Sequence, residues 1–495
     1  MTKFTLENKK SLFLLSAITS IFFVFSHNSS IGYDAYEYLL IGRYLSEGGS
    51  LYDYWPSKSP GIYYFISVLS WSGLSFNHIQ VALLLSVLFY ITALILLYYY
   101  RNYSAESKYL LICFLAFIYF FTEMNFIQPD QFVIIFSVIS SFLFSKSLDQ
   151  ISDGVINYKS LFTAGVFLSF AMLFKTTAIF VGLGFFIFAL YLAIKNCLNA
   201  KLIVNSASAF IFGFASVFMV ASAYFWSTGE FADFINWTFL YPMNAYPAHT
   251  LYLDRIYTKL LGLNLLYIAS LYIFLRKILH SFFLNQRSWL FLCISLSAML
   301  IVFKTQAPHY FTLSYVFMLL MFVESNKTLK INRSSLIVVL IIFFLAISSI
   351  LMYRPSALNR LIEFKSYDYE EQGVVNLIKK NTTEKDLVLV INSGDTKLYW
   401  LTNRMPPRPL LSTDVKFGWL MRNNFESFSK RVDNKNLKYI LADDENYSLT
   451  DEVFGKDPKD FKLMDKFFEK IRSTYQMSYI DYKSNMYPAW VNINE

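Results

Sequence analysis

The sequence predicts a polytopic α-helical membrane protein with about eleven transmembrane helices, interfacial helices in the first outer loop and a small α/β domain at its C-terminal end. Three observations carry that fold class. The 495 residues are 55% hydrophobic and 16% charged, where a soluble domain carries roughly 25% charge. Apolar runs of about 20 residues, enough to cross about 30 Å of hydrocarbon, recur from residue 11 to residue 353 and are punctuated by Lys or Arg. After Arg354 charged residues become frequent and no run is long enough to span, so the domain division is 1–353 and 354–495.

In chain order the expected spans are 11–30, 79–100, 109–126, 130–146, 160–175, 177–195, 203–223, 259–276, 287–304, 310–325 and 334–353. The first follows Lys9 and Lys10 and is not closed by a small-residue cleavage site, which makes it a retained anchor rather than a secretory signal. An N-terminus inside the cell puts Lys9, Lys10, Arg101, Lys108, Lys146, Lys195, Lys201, Arg276, Lys277, Lys327, Lys330 and Arg333 on the cytoplasmic side, as the positive-inside bias requires. The opposite face keeps Arg43, Lys58, Lys175, Arg255, Lys259 and Lys304. Each is either a snorkelling or paired cation, or part of a site for an anionic ligand at the outer membrane surface.

The formal charge of +8 comes from 43 basic and 35 acidic residues. They interrupt apolar runs instead of clustering on one face, which excludes a nucleic-acid-binding protein. Cys113, Cys197 and Cys293 all lie in apolar stretches at spacings that fit neither a zinc site nor a redox pair, so no disulfide and no cysteine metal site is expected. The tail reads as a helix near 368–380, a strand at 387–391, an amphipathic stretch at 396–403, a strand at 439–442, a helix near 459–474 and a strand near 476–482. Its single SGD, at 393–395, is an ordinary strand-to-helix turn and not a phosphate-cradling loop.

The most informative segment is the first outer loop, IGYDAYEYLLIGRYLSEGGSLYDYWPSKSPGIYYF, from Ile31 to Phe65. Ala35 to Ser46 has helical apolar spacing through Tyr38, Leu39, Ile41 and Leu45, and a second helix is expected over Ile62 to Trp71. Asp34 opens the first of these helices, where an acid also serves as a helix cap. Lys58 stands between Pro56 and Pro60, which fix its direction, beside Tyr54 and Trp55. A fixed cation near an outer-surface acid suits a reaction with an anionic lipid leaving group.

An Asp after the first span, an interfacial helix closing in a Gly-rich turn, the LYDYWPSKSPG run and a following aromatic helix together resemble the GT-C membrane glycosyltransferases. Within them the chain is most similar to the protein O-mannosyltransferase superfamily (glycosyltransferase family 39) and the lipid A aminoarabinose transferases. The resemblance implies a GT-C fold over residues 9–350 and an extracytoplasmic C-terminal domain. It implies a second acid at Asp130 in TEMNFIQPDQFVIIF, where Glu123 is a weaker candidate and a cap after Pro129 is the plainer role for Asp130. Lys175 in AMLFKTTAIF matches the family's short turn between two membrane segments, and FKTQAPHYFTLSY supplies Lys304, His309 and Tyr310 near the lipid carrier. A structural interfacial histidine and an interfacial Trp/Tyr belt at WTFLYPMNAYPAH are the competing readings there.

The activity implied is transfer of a sugar from a polyprenyl-phosphate donor to a hydroxyl of a lipid, glycan or protein acceptor, with inversion, at the outer face of a bacterial cytoplasmic membrane. Asp34 and Asp130 are the catalytic acids of that expectation, and Lys58, Lys304 and Arg255 would hold the donor phosphate. Tyr54, Trp55, Glu123, Lys175, His309 and Tyr310 would contact substrate. Ser57 stands where some relatives place a metal-reaching acid before the lysine, so no cofactor is expected and a divalent metal has no support. An O-antigen-type polymerase or ligase would instead gather its Arg and His in one large outer loop. A lipid or glycan transporter would carry midplane charges and paired halves, of which the sequence has neither.

Overall fold

The computed structural model describes residues 2–27, 31, 33–54, 56–122, 124, 126–149, 155–195, 200–244, 264, 267–268, 271–272, 285–303, 308–325, 372–391, 396–408, 437–442, 466, 469–470, 473, 475–482 and 485–492. Contacts divide the chain into two units. The first comprises Met1–Ser30, Asn77–Phe231 and Ala248–Lys365, and the second Ile31–Phe76, Ala232–Pro247 and Ser366–Glu495.

The first unit is helical. Its described helices are α1 (Thr2–His27), α4 (His78–Tyr99), α5 (Ala105–Phe121), α6 (Pro129–Ser147), α7 (Tyr158–Phe174), α8 (Ile179–Lys195), α9 (Ala200–Ser227), α12 (Gln286–Met299) and α13 (Thr312–Ser325). Among the described residues, five segments are long and apolar enough to cross a membrane: Lys9–His27, His78–Tyr99, Pro129–Ser147, Thr176–Lys195 and Ala200–Ser227. Tyr158–Phe174 and His309–Ser325 are shorter apolar helices. Most of the expected span 259–276 and all of 334–353 lie outside the described residues.

Burial separates two kinds of helix. Most of α6 is enclosed, and its serines turn inward: Ser140 Oγ donates to the Ala164 carbonyl of α7 at 2.7 Å, and Ser141 Oγ to Ser137 O at 2.7 Å. A polar side chain inside a lipid-solvated bundle must find its partner within the protein. By contrast α9 is almost entirely uncovered, presenting Ile211, Phe212, Met219, Val220 and Trp226 outward. That display suits acyl chains and not water. Where α7 and α9 do touch, Gly165 and Gly213 face each other's helices: a Cβ on Gly213 would run into the Phe162 carbonyl, and one on Gly165 into the Phe210 carbonyl. Small residues let membrane helices approach to backbone contact.

The second unit joins the loop between α1 and α4 to the C-terminal segment. The loop folds into α2 (Tyr33–Ser46), a 3₁₀ turn at Leu51–Asp53 and α3 (Pro60–Trp71); the short helices α10 (Phe231–Ile235) and α11 (Tyr241–Asn244) come later in the chain. Pro60 is the first residue of α3, where its missing N–H costs nothing. Gly42 of α2 lies so close to Ile66 of α3 that a Cβ would overlap that side chain, so the two helices lock at this point.

The C-terminal segment contains α14 (Gln372–Asn381), β1 (Leu387–Ile391), α15 (Thr396–Thr402), β2 (Leu437–Ala442), β3 (Tyr475–Tyr482) and β4 (Asn485–Asn492). The sheet order is β1-β2-β4-β3, with β1 parallel to β2 and the other two pairs antiparallel. The expected strands at 387–391, 439–442 and 476–482 coincide with β1, β2 and β3. The expected helix near 459–474 lies mostly outside the described residues. Sequence analysis missed β4 because NMYPAWVN contains Pro488, which argues against a central strand. The ladder from β2 covers only Ala489, Trp490 and Val491 of β4, so Pro488 lies beyond it and pairs on one side, with Tyr479 of β3.

Candidate active site

Asp34 and Lys58 meet through the α2–α3 hairpin. Asp34 sits in the first turn of α2, after Tyr33, and Lys58 in the turn that leads into Pro60. Lys58 Nζ lies 3.2 Å from Asp34 Oδ2. The lysine side chain is 10% exposed and the aspartate 42%, so the acid is the member of the pair open to a substrate. Tyr38, one turn along α2, donates its hydroxyl to Asp34 Oδ2 at 3.4 Å. Burial first, and then the negative charge of Asp34, raises the Tyr38 phenol well above its ordinary value, which keeps it a protonated donor. Asp34 is the second residue of α2 and so lies in its first turn, past the cap position, and the folded hairpin gives it an ion pair.

A carboxylate that sequence analysis passed over stands behind this pair. Glu37 is buried one turn beyond Asp34, and its Oε1 accepts from the Tyr63 hydroxyl at 2.6 Å and from Ser57 N–H at 2.7 Å. Tyr63 Oη accepts in turn from Ser57 N–H at 3.1 Å and Lys58 N–H at 3.2 Å. The Tyr38 and Tyr63 rings pack edge to face, 5.7 Å apart. Burial, and next the Glu37 charge, holds the Tyr63 phenol well above its usual range, so it too remains a donor.

Below this pair, the other end of the hairpin is tied to the C-terminal segment. Tyr54 is buried; its ring meets that of Tyr44 edge to face at 5.1 Å and its hydroxyl donates to the Pro406 carbonyl at 3.4 Å. Tyr44 donates to Asp53 Oδ2 at 2.5 Å, and Arg408 pairs with the same oxygen at 3.1 Å while lying over the Tyr44 ring at 4.9 Å. The Arg43 guanidinium stacks over Trp400 at 4.9 Å, and burial pulls its pKa below the ordinary arginine value.

In the helical unit a second set assembles. Lys175 Nζ lies 2.7 Å from Asp130 Oδ2, both side chains buried, and 3.5 Å from the centre of the Tyr310 ring. Pro129 and Asp130 occupy the first turn of α6, so Asp130 is not itself the cap; Gln128 is. Gln131 Nε2 donates to Met124 O at 2.7 Å and pins the turn from α5. Lys175 breaks α7 by turning to extended backbone before a 3₁₀ turn at Thr176–Ala178. His309 is buried with its ring 4.6 Å from that of Tyr310. Of the other expected site residues, Trp55, Glu123, Arg255 and Lys304 lie outside the described residues. Among the described residues, no group of three His, Cys, Asp or Glu is placed to hold a metal ion.

Two solved structures match this architecture end to end. The crystal structure of ArnT from Cupriavidus metallidurans bound to undecaprenyl phosphate aligns at a TM-score of 0.60 and 11% identity, covering 98% of this chain and 98% of that one. The chain has a GT-C fold. The apo structure of the same ArnT aligns at a TM-score of 0.58 and 12% identity, again over 98% of both chains. The resemblance read from the first loop is borne out at the level of the fold. Together with the apolar helices, the GT-C fold makes this a polytopic helical membrane protein. No protein-family model and no curated protein matches the sequence.

Proposed function

We propose that this GT-C protein is a glycosyltransferase that moves a sugar from a polyprenyl-phosphate donor to a hydroxyl of a lipid, glycan or protein acceptor in cell-envelope glycan synthesis. The observation that carries the reading is the Asp34–Lys58 pair at 3.2 Å, an exposed acid backed by a shielded cation. The undecaprenyl phosphate bound to the similar ArnT structure supports a polyprenyl-phosphate carrier. The setting we propose is a bacterial cytoplasmic membrane, with about eleven spans over 1–353, a cytoplasmic N-terminus and residues 354–495 outside the cell. Its partners are the lipid donor, the acceptor and membrane lipids, and not nucleic acid.

The leaving group of such a donor is already a phosphate, so the protein's tasks are to neutralise the charge growing on it and to sharpen the acceptor hydroxyl. As the donor arrives, its phosphate displaces Asp34 from Lys58. The freed Asp34 takes the acceptor proton, the acceptor oxygen bonds to the anomeric carbon, and the bond from that carbon to the phosphate oxygen breaks with its electrons leaving on the polyprenyl phosphate. One displacement inverts the anomeric centre. Lys58 holds the departing phosphate, with Lys304 and Arg255 assisting. Asp130 is the second catalytic acid, paired with Lys175, and Lys175, His309, Tyr310, Trp55 and Glu123 are residues we assign to substrate contact. Tyr54 of the first loop is assigned to substrate contact with them.

A general base contributes about 10²–10⁴-fold, so Asp34→Asn should nearly silence transfer in a protein that still folds. Mass spectrometry of glycolipids and surface glycans from a strain lacking the protein, complemented with wild type or Asp34→Asn, tests this. A sugar-sized mass shift restored by wild type alone is the expected result. Equal restoration by the variant removes Asp34 from the chemistry, and no difference in any glycan removes the transferase reading.

A further inference from the structure

The backbone that carries Lys58 into the Asp34–Lys58 pair is itself held by neighbouring side chains. Lys58 lies on a six-residue link between the 3₁₀ turn and α3, flanked by two prolines whose nitrogens cannot donate. The described hydrogen bonds of Ser57 N–H and Lys58 N–H run to only two atoms, Glu37 Oε1 and Tyr63 Oη. Those atoms bond each other at 2.6 Å, and one belongs to α2 and the other to α3. The link is therefore gripped by both helices at the residue that must aim an ammonium group at Asp34.

We infer that Glu37, with Tyr63, is a positioning residue that clamps the backbone of Ser57 and Lys58 so that the lysine side chain is delivered to Asp34 and to a donor phosphate. The inference rests on the proposed function for its phosphate and on the hairpin geometry alone for its lysine. Burying a carboxylate is unfavourable unless donors are aimed at it, and here a phenol and a backbone N–H converge on one oxygen. Glu37 also follows Asp34 by one helical turn, so both acids share a face of α2 and the clamp moves with the helix that carries the reacting acid. With the backbone held, only the side chain of Lys58 has to swing when phosphate replaces Asp34.

The test uses the full chain in nanodiscs with Glu37→Ala, Glu37→Gln, Tyr63→Phe and Lys58→Met. An amine-reactive reagent reports the accessibility of Lys58 by mass spectrometry, with the exposed Lys379 and Lys380 as internal references. Native mass spectrometry with undecaprenyl phosphate alone reports phosphate capture, and the complementation experiment reports transfer. Thermal unfolding verifies that each variant is folded, and Tyr63→Phe keeps the ring in place if Glu37→Ala does not fold.

Labelling of Lys58 should rise several-fold in Glu37→Ala and Tyr63→Phe and stay near wild type in Glu37→Gln, whose amide oxygen still accepts. Transfer should fall by about 10²-fold in the first two and recover in Glu37→Gln, as expected when a reacting group is misplaced by about 1 Å. Capture of undecaprenyl phosphate should weaken in Glu37→Ala as it does in Lys58→Met. Lys58 labelled at the wild-type rate in folded Glu37→Ala and Tyr63→Phe overturns the inference, as does wild-type transfer by both. If labelling responds as stated but wild type neither captures undecaprenyl phosphate nor transfers a sugar, the clamp stands and the proposed function falls.

Discussion

Lys175 carries an ammonium group into a buried setting, and two groups hold it there. Asp130 at 2.7 Å supplies the counter-charge and the Tyr310 face supplies a second attraction. Removing one partner of a buried pair strands the other, so Lys175→Met should destabilise the protein by about 3–5 kcal/mol, with the loss read from thermal unfolding in detergent. Lys175→Met combined with Asp130→Leu should regain most of that stability, because the orphaned charge is gone. Both residues were legible in the sequence as polar positions next to apolar runs. Their mutual contact was not, since 45 residues and a helix pair separate them. Glu37 shows the opposite failure: a glutamate one turn after an aspartate in an interfacial helix reads as a solvated face, and only the approach of Tyr63 and Ser57 from α3's side explains its burial.

Elements were legible where apolar period and punctuation agreed. Helices α4, α6, α7 and α9 appear close to the expected spans because about 20 apolar residues between polar ends leave few alternatives in a bilayer. How the helices meet was not legible, because the sequence treats every glycine alike. Gly213 and Gly165 set the α7–α9 separation, whereas a Cβ on Gly182 would meet only a Leu168 methyl at 3.3 Å. Gly213→Val should therefore cost about 1–3 kcal/mol through overpacking against a carbonyl that cannot rotate away. Gly182→Ala serves as the tolerated control. Midpoints of thermal unfolding for the two variants, compared with wild type, check the contrast.

At the scale of the whole molecule the informative contact is between chain segments far apart in sequence. The hydroxyl of Tyr54 and the carbonyl of Pro406 are 352 residues apart, yet they close one interface with Tyr44, Asp53 and Arg408, and Arg43 over Trp400 extends it. Partly exposed cation–π and ion-pair contacts are worth about 0.5–1 kcal/mol each, so Trp400→Ala with Arg408→Ala should loosen this interface without unfolding the helices. Limited proteolysis should then cut between residues 31 and 76 faster than in wild type, while cleavage within the first unit is unchanged. By itself the sequence determined the membrane class, the order of the apolar helices, three strands of the tail and Asp34 and Lys58 as candidate residues, though not their contact, because local period, proline punctuation and charge placement express themselves over a few residues. Tertiary structure alone decided β4, the grip of Glu37 and Tyr63 on the lysine turn, the Asp130–Lys175–Tyr310 set and the joining of the first loop to the C-terminal segment. Each of those depends on two surfaces meeting, and the free energy of a contact between distant residues is written in neither residue alone.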